Sequence, residues 1–160
     1  VAISILVLSV SGSFTAVQSG IFSTNLSKEG IVAYYLAQEG IEEIRNIRDE
    51  NGLKGNTNWL ANIASQSTDP CYFGKSCNVD AVTNTLTACS GSIDTCPVVR
   101  KDTANGFYGY NAGWAPTQYR RAITMTSINS NEVSILVTVK WQKGTLTREF
   151  KVRENIFNWQ

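Results

Sequence analysis

Five carboxylates crowd one short stretch, "AQEGIEEIRNIRDENG": Glu39, Glu42, Glu43, Asp49 and Glu50. Carboxylates this close together could form a general acid/base pair or part of a calcium ligand set. Basic residues are interleaved with them. Glu42 and Arg45 stand at i,i+3 and Arg45 and Asp49 at i,i+4, the spacing of a solvated helix face. Asp80 and Asp94 lack the D-x-D-x-D-G spacing of a calcium loop. "NGLKGNTN" has neither a preceding strand nor the G-K-S/T of a phosphate-binding loop. The chain contains no histidine, so no Ser-His-Asp or Cys-His nucleophile can be assembled within it. We expect no catalytic residue, no metal and no cofactor.

The four cysteines, Cys71, Cys77, Cys89 and Cys96, offer a second chemistry. Their C-x5-C and C-x6-C spacings are wider than the C-x2-4-C pairs of structural zinc sites. An even number clustered in one segment points to disulfides in an oxidising compartment, and the local pairs Cys71–Cys77 and Cys89–Cys96 are the expected ones among three connectivities.

Two surface strips complete the inventory. Lys140, Lys143, Arg148, Lys151 and Arg153 could contact phosphates, but Glu149 and Glu154 interrupt them and the net charge is only +1. An ordinary charged sheet face is expected, and nucleic acid is not. "NGFYGYNAGWAPTQYRR" alternates aromatics with glycine, as an exposed ligand-binding strip would, although packing under a loop is favoured.

The elements that position these residues are legible from pattern. Charged residues make up 17% of the 160, below the usual ~25%, and none occurs before Lys28. The opening "VAISILVLSV" is apolar, shorter than the roughly 20 residues that span a bilayer, and without the basic flank of a signal peptide. We therefore expect residues to precede Val1. No proline occurs before residue 70, and Val32, Leu36, Ile41, Ile44 and Ile47 recur at helical spacing as a face for packing on the head. One helix is expected from Val1 to Asp49, about 70 Å long, stopped by Asn51-Gly52. Residues 1–27 form its apolar half, for which lipid or neighbouring helices are the expected surroundings. Ile3, Ile5, Leu6, Leu8, Val10, Phe14 and Val17 line it, and Gly12 and Gly20 permit close approach.

Residues 28–160 form the head: the lower half of the helix over 28–50, a disulfide-bearing loop region over 51–118, and a sheet over 119–160. "NTNWLANIAS" predicts a short helix capped at Thr57 or Asn58, and one or two short strands are expected before residue 118. The end is β. Val133, Ile135, Val137, Val139 and Trp141 alternate, Lys143-Gly144 supplies a turn, and Leu146, Phe150 and Val152 return in register. The fold class is α+β, a long protruding N-terminal helix packed on a C-terminal antiparallel sheet, each burying the other's apolar side.

That plan, together with "VAISILVLSV", "AYYLAQEGIEEIRNIRDENG" (33–52), "NGFYGYNAGWAPTQYRRAITM" (105–125) and "VTVKWQKGTLTREFKVRENIFNW" (137–159), resembles the type IV pilins, in particular minor pilins of the PilV type and the related pseudopilins. The family's leader and G-F-T-L-I-E motif are absent from this sequence. The resemblance implies a structural subunit cut by a prepilin peptidase and N-methylated. It would be inserted in the bacterial inner membrane by its helix, then assembled into a surface filament by helix–helix packing. Its partners would be other pilin subunits, the assembly machinery and the inner membrane, with a surface ligand left open. A pseudopilin of a type II secretion system is one alternative, and a membrane-tethered extracytoplasmic binding domain that does not polymerise is another.

Overall fold

The computed structural model describes residues 2–159. Side chains are described for Ile3, Phe14 and residues 17–159. One helix, α1 (Ala2–Leu53), is followed by β1 (Ser76–Asp80), β2 (Thr85–Ala88), a 3-10 turn (Ile93–Thr95), β3 (Val98–Lys101), β4 (Tyr108–Gly109), β5 (Ala115–Asn129), β6 (Glu132–Lys143) and β7 (Leu146–Phe157). The fold is a long N-terminal helix packed against a seven-stranded antiparallel sheet, as the pattern predicts and as the pilin-like fold in general is built. The chain divides into two compact units, Val1–Val32 and Ala33–Gln160.

The second unit is organised around β5. Along one side β5 pairs β6 from Tyr119↔Trp141 to Asn129↔Glu132. Its other side is shared by β1 (Cys77↔Ile123) and β3 (Val98↔Arg120). Beyond β6 lies β7, paired from Glu132↔Phe157 to Lys143↔Leu146. Alternation sorts the faces. Val133, Ile135, Val137, Val139 and Trp141 of β6 are buried, as are Tyr119, Arg121, Ile123 and Met125 of β5. Against them lie Ala33, Leu36, Ala37, Ile41 and Ile44 of the helix.

Small residues let the helix come close. A Cβ placed on Gly40 would stand 3.3 Å from Arg121 Cδ and 3.4 Å from Val137 Cγ1. Of the predicted face, Leu36, Ile41 and Ile44 are buried, while Val32 and Ile47 are half-buried. The helix does not stop at Asn51-Gly52. It ends at Leu53, where Gly55 takes the left-handed conformation (φ 69°). Asn56 N–H donates to Asn51 O, and Gly55 N–H to Gly52 O, which closes a Schellman motif. "NTNWLANIAS" forms turns rather than the expected helix. Asn58 Oδ1 accepts from Leu60 N–H, and Asn62 is left-handed, which breaks helical propagation. Trp59 and Leu60 still pack inward. Four short strands, more than the one or two expected, occupy 66–118.

The membrane role assigned to residues 1–27 is corrected. Among the described residues, no helix is long and apolar enough to cross a membrane. The physical reason is visible from Val17 onward, where Gln18, Ser19, Ser23, Thr24, Asn25 and Ser27 interrupt the apolar positions at every turn. Thr24 Oγ1 and Ser27 Oγ donate to the carbonyls of Gly20 and Ser23 but stay exposed. With that span go the transmembrane helix, the single-pass inner-membrane location, and the reading as a membrane-inserted filament subunit. The pseudopilin and membrane-tethered alternatives rested on the same anchor.

Candidate functional site

In the first unit most of the described apolar side chains are open, and Leu26 and Val32 are half-buried. Ile3 is 79% exposed, Phe14 64%, Val17 60%, Ile21 58% and Phe22 51%. The side chains of Ile5, Leu6, Leu8 and Val10, named with them, lie outside the described residues. Phe14, Val17 and Ile21 are three and four residues apart, the spacing of one helix face.

In the second unit the carboxylates that could have done chemistry are mostly taken by cations. Glu39 meets Arg121, Glu42 meets Arg45 at 2.8 Å, Asp49 meets Arg48 at 2.7 Å and Glu50 meets Lys54 at 2.7 Å. Glu154 also reaches Arg45. Glu43 has its carboxyl pushed up, chiefly by burial, partly offset by a hydrogen bond from Asn46, with Glu39 adding a smaller upward push. Asp80 Oδ1 accepts from Val82 N–H, and Asp94 holds Lys140 at 2.6 Å. Among the described residues, no group of His, Cys, Asp or Glu is arranged to hold a metal ion.

Arg121 is the polar centre that the pattern reading missed. It is 1% exposed, yet carries a full charge into the helix–sheet contact. Its Nη1 donates to Leu36 O at 2.8 Å and to Glu39 Oε2, and its Nη2 donates to Val79 O. One guanidinium therefore ties α1, β1 and β5 together. Tyr110 lies beside it, its phenol pushed up mainly by burial and drawn back in part by the Arg121 charge. Alternation could have found this residue, since Arg121 stands between Tyr119 and Ile123 on the inward face. With both Nη atoms engaged by carbonyls and one carboxylate, it is built to hold rather than to react.

The cysteines form Cys71–Cys77 and Cys89–Cys96. In the aromatic strip, Phe107 is exposed, Tyr119 is buried and packs near Trp141 with ring centroids 6.0 Å apart, and Tyr108, Tyr110 and Trp114 are half-buried. The basic strip is broken up, as its interleaved glutamates suggest: Lys151 pairs with Glu149 at 2.8 Å, and Lys140 sits across from Glu149. A cleft of about 300 Å³ lies between the end of α1 and the end of β7, where Arg48 sits 4.9 Å over the Trp159 ring beside Leu53, Trp59 and Phe157.

No family model, no curated protein and no solved structure matches the chain.

Proposed function

We propose that the chain is a non-enzymatic assembly subunit of the pilin-like class, in its finer relation similar to the minor pilins of the PilV type. Its partners on this reading are other pilin-like subunits and the machinery that handles them. Insertion of α1 in a bilayer forms no part of it. The observation that carries the reading is the exposed apolar face of Phe14, Val17 and Ile21 on a helix that later buries Ala33, Leu36, Ala37, Ile41 and Ile44. An apolar face of this kind marks a place where another protein binds. The unreactive arrangement around Arg121 and the engaged carboxylates support a role in holding a shape rather than turning over a substrate.

Cysteines placed singly at Val17 and Ile21 test the proposal. The chain has no free cysteine of its own, so the added thiol is the sole reporter. Mild oxidation should give intermolecular disulfides at these positions, and Gln38→Cys, on an exposed position of the second unit, should give few. Chains that remain monomeric at Val17 and Ile21, whether alone or with a pilin-like partner, would overturn it.

A further inference from the structure

β7 is a twelve-residue edge strand. One side pairs β6 along its whole length, and among the described residues no strand pairs the other. An edge of this length is a template for another strand. Its sequence is self-complementary about its middle. When "LTREFKVRENI" runs antiparallel to a copy of itself with Lys151 on the two-fold axis, Leu146 falls opposite Ile156, Thr147 opposite Asn155 and Arg148 opposite Glu154. Glu149 then falls opposite Arg153, and Phe150 opposite Val152. The two kinds of ion pair each occur twice by symmetry, and so do the two apolar pairs.

The faces agree with this register. Arg148, Phe150, Val152, Glu154 and Ile156 stand opposite the inward residues Trp141, Val139, Val137, Ile135 and Val133 of β6, so they share the helix side. Thr147, Glu149, Lys151, Arg153 and Asn155 share the other side, and every proposed pair joins residues of one side. Sliding by two residues spoils the match. One direction sets Arg148 against Val152 and Leu146 against Glu154. The other sets Phe150 against Glu154 and Lys151 against Arg153. Slides by one residue exchange the faces.

We propose that β7 pairs with β7 of a second copy in the Lys151-centred register, giving a two-fold dimer with one continuous antiparallel sheet. The like charges on the axis are softened within each chain, where Glu149 already holds Lys151 at 2.8 Å. The contact uses the same edge on both copies, so it closes at two and cannot propagate. It rests on β7 alone and is independent of any association through α1.

Lys151→Cys tests the register in the full chain. Residues on the axis face their own copies with Cα atoms about 4.5–5.5 Å apart, within disulfide range. Mild oxidation should convert most of this variant to a covalent dimer and leave Thr147→Cys, which faces Asn155, monomeric. Sedimentation of Arg153→Glu should show dimerisation weakened roughly tenfold or more, since like charges then oppose Glu149 twice. Glu149→Arg combined with Arg153→Glu exchanges the signs and should restore the unsubstituted affinity within about threefold. Four results would each overturn the proposal: an unsubstituted chain that stays monomeric at millimolar concentration, crosslinking at Thr147→Cys as strong as at Lys151→Cys, a double exchange no tighter than the single one, or a Lys151→Cys chain captured only by a different protein.

Discussion

The same helix meets two fates. From Ala33 to Ile44 the side chains that face the sheet are consumed: Ala33, Ala37 and Ile44 have no accessible surface, and Leu36 and Ile41 are 3% exposed, while Tyr34 and Tyr35 on the other side stay open. Over residues 17–32, Val17, Ile21, Phe22 and Ile31 each keep more than half of theirs. Residue type does not explain the difference, since both stretches carry Ile, Leu and aromatic residues. What differs is spacing and company. Small residues at 33, 37 and 40 allow the backbone to approach, and Arg121 reaches up from the sheet to the Leu36 carbonyl. A helix is stabilised mainly by burial of a face, not by propensity. The second stretch has that burial within the chain, whereas the first does not.

The contrast breaks most severely at Arg121. Arg121→Ala leaves Glu39 and two carbonyls without their donor inside the helix–sheet contact, and should cost about 3–5 kcal/mol in chemical denaturation. Next comes Ile44→Ala, which empties a fully buried site and should cost about 2–5 kcal/mol. Gly40→Val drives a side chain against Arg121 Cδ, which cannot yield because its guanidinium is pinned at both ends. The expected loss is about 1–3 kcal/mol. In the first stretch Ile21→Ala should change stability by less than about 0.5 kcal/mol. A loss there equal to that of Ile44→Ala would erase the contrast.

The smallest effect calibrates the exposed surface. Asp102 accepts hydrogen bonds from Asn105 Nδ2 at 2.8 Å and Ala104 N–H at 2.9 Å, and these, the Asn105 bond first, hold its carboxyl below the ordinary range. A folded-state value below the unfolded one means that the stabilisation is present above the ordinary carboxylate range and is lost as pH falls through the folded value. Asn105→Ala should move the Asp102 titration, followed by NMR, back upward while leaving the helix contacts untouched.

Much of this architecture is legible in the residues. Strict alternation from Val133 to Trp141 and the Lys143-Gly144 turn define β6 and β7, because one sheet face is buried and register is then forced. The helix end is misread because Asn51-Gly52 carries the usual stop composition, yet Asn51 is buried and its amide serves the carbonyls of Trp59 and Ala61. The short strands between 76 and 109 are undercounted, four where one or two are expected, since pairings of two to five residues leave little period to read. Arg121 escapes for another reason: a charge on an inward position reads as a pattern error until its partners are seen. The membrane reading of the opening segment fails where polar residues enter each turn after Val17, a feature that counting charges alone overlooks.

Single cysteines at Val17, Ile21, Ala37 and Ile44, labelled with a thiol reagent in the native, monomeric chain and read by mass spectrometry, address the division of α1 directly. Thiols at 17 and 21 should react at nearly the rate of an unfolded peptide, and those at 37 and 44 should be slowed by orders of magnitude until the chain is denatured. Protection at 17 and 21 in the monomer, or rapid labelling at 37 and 44 in a chain that keeps its sheet, would contradict it.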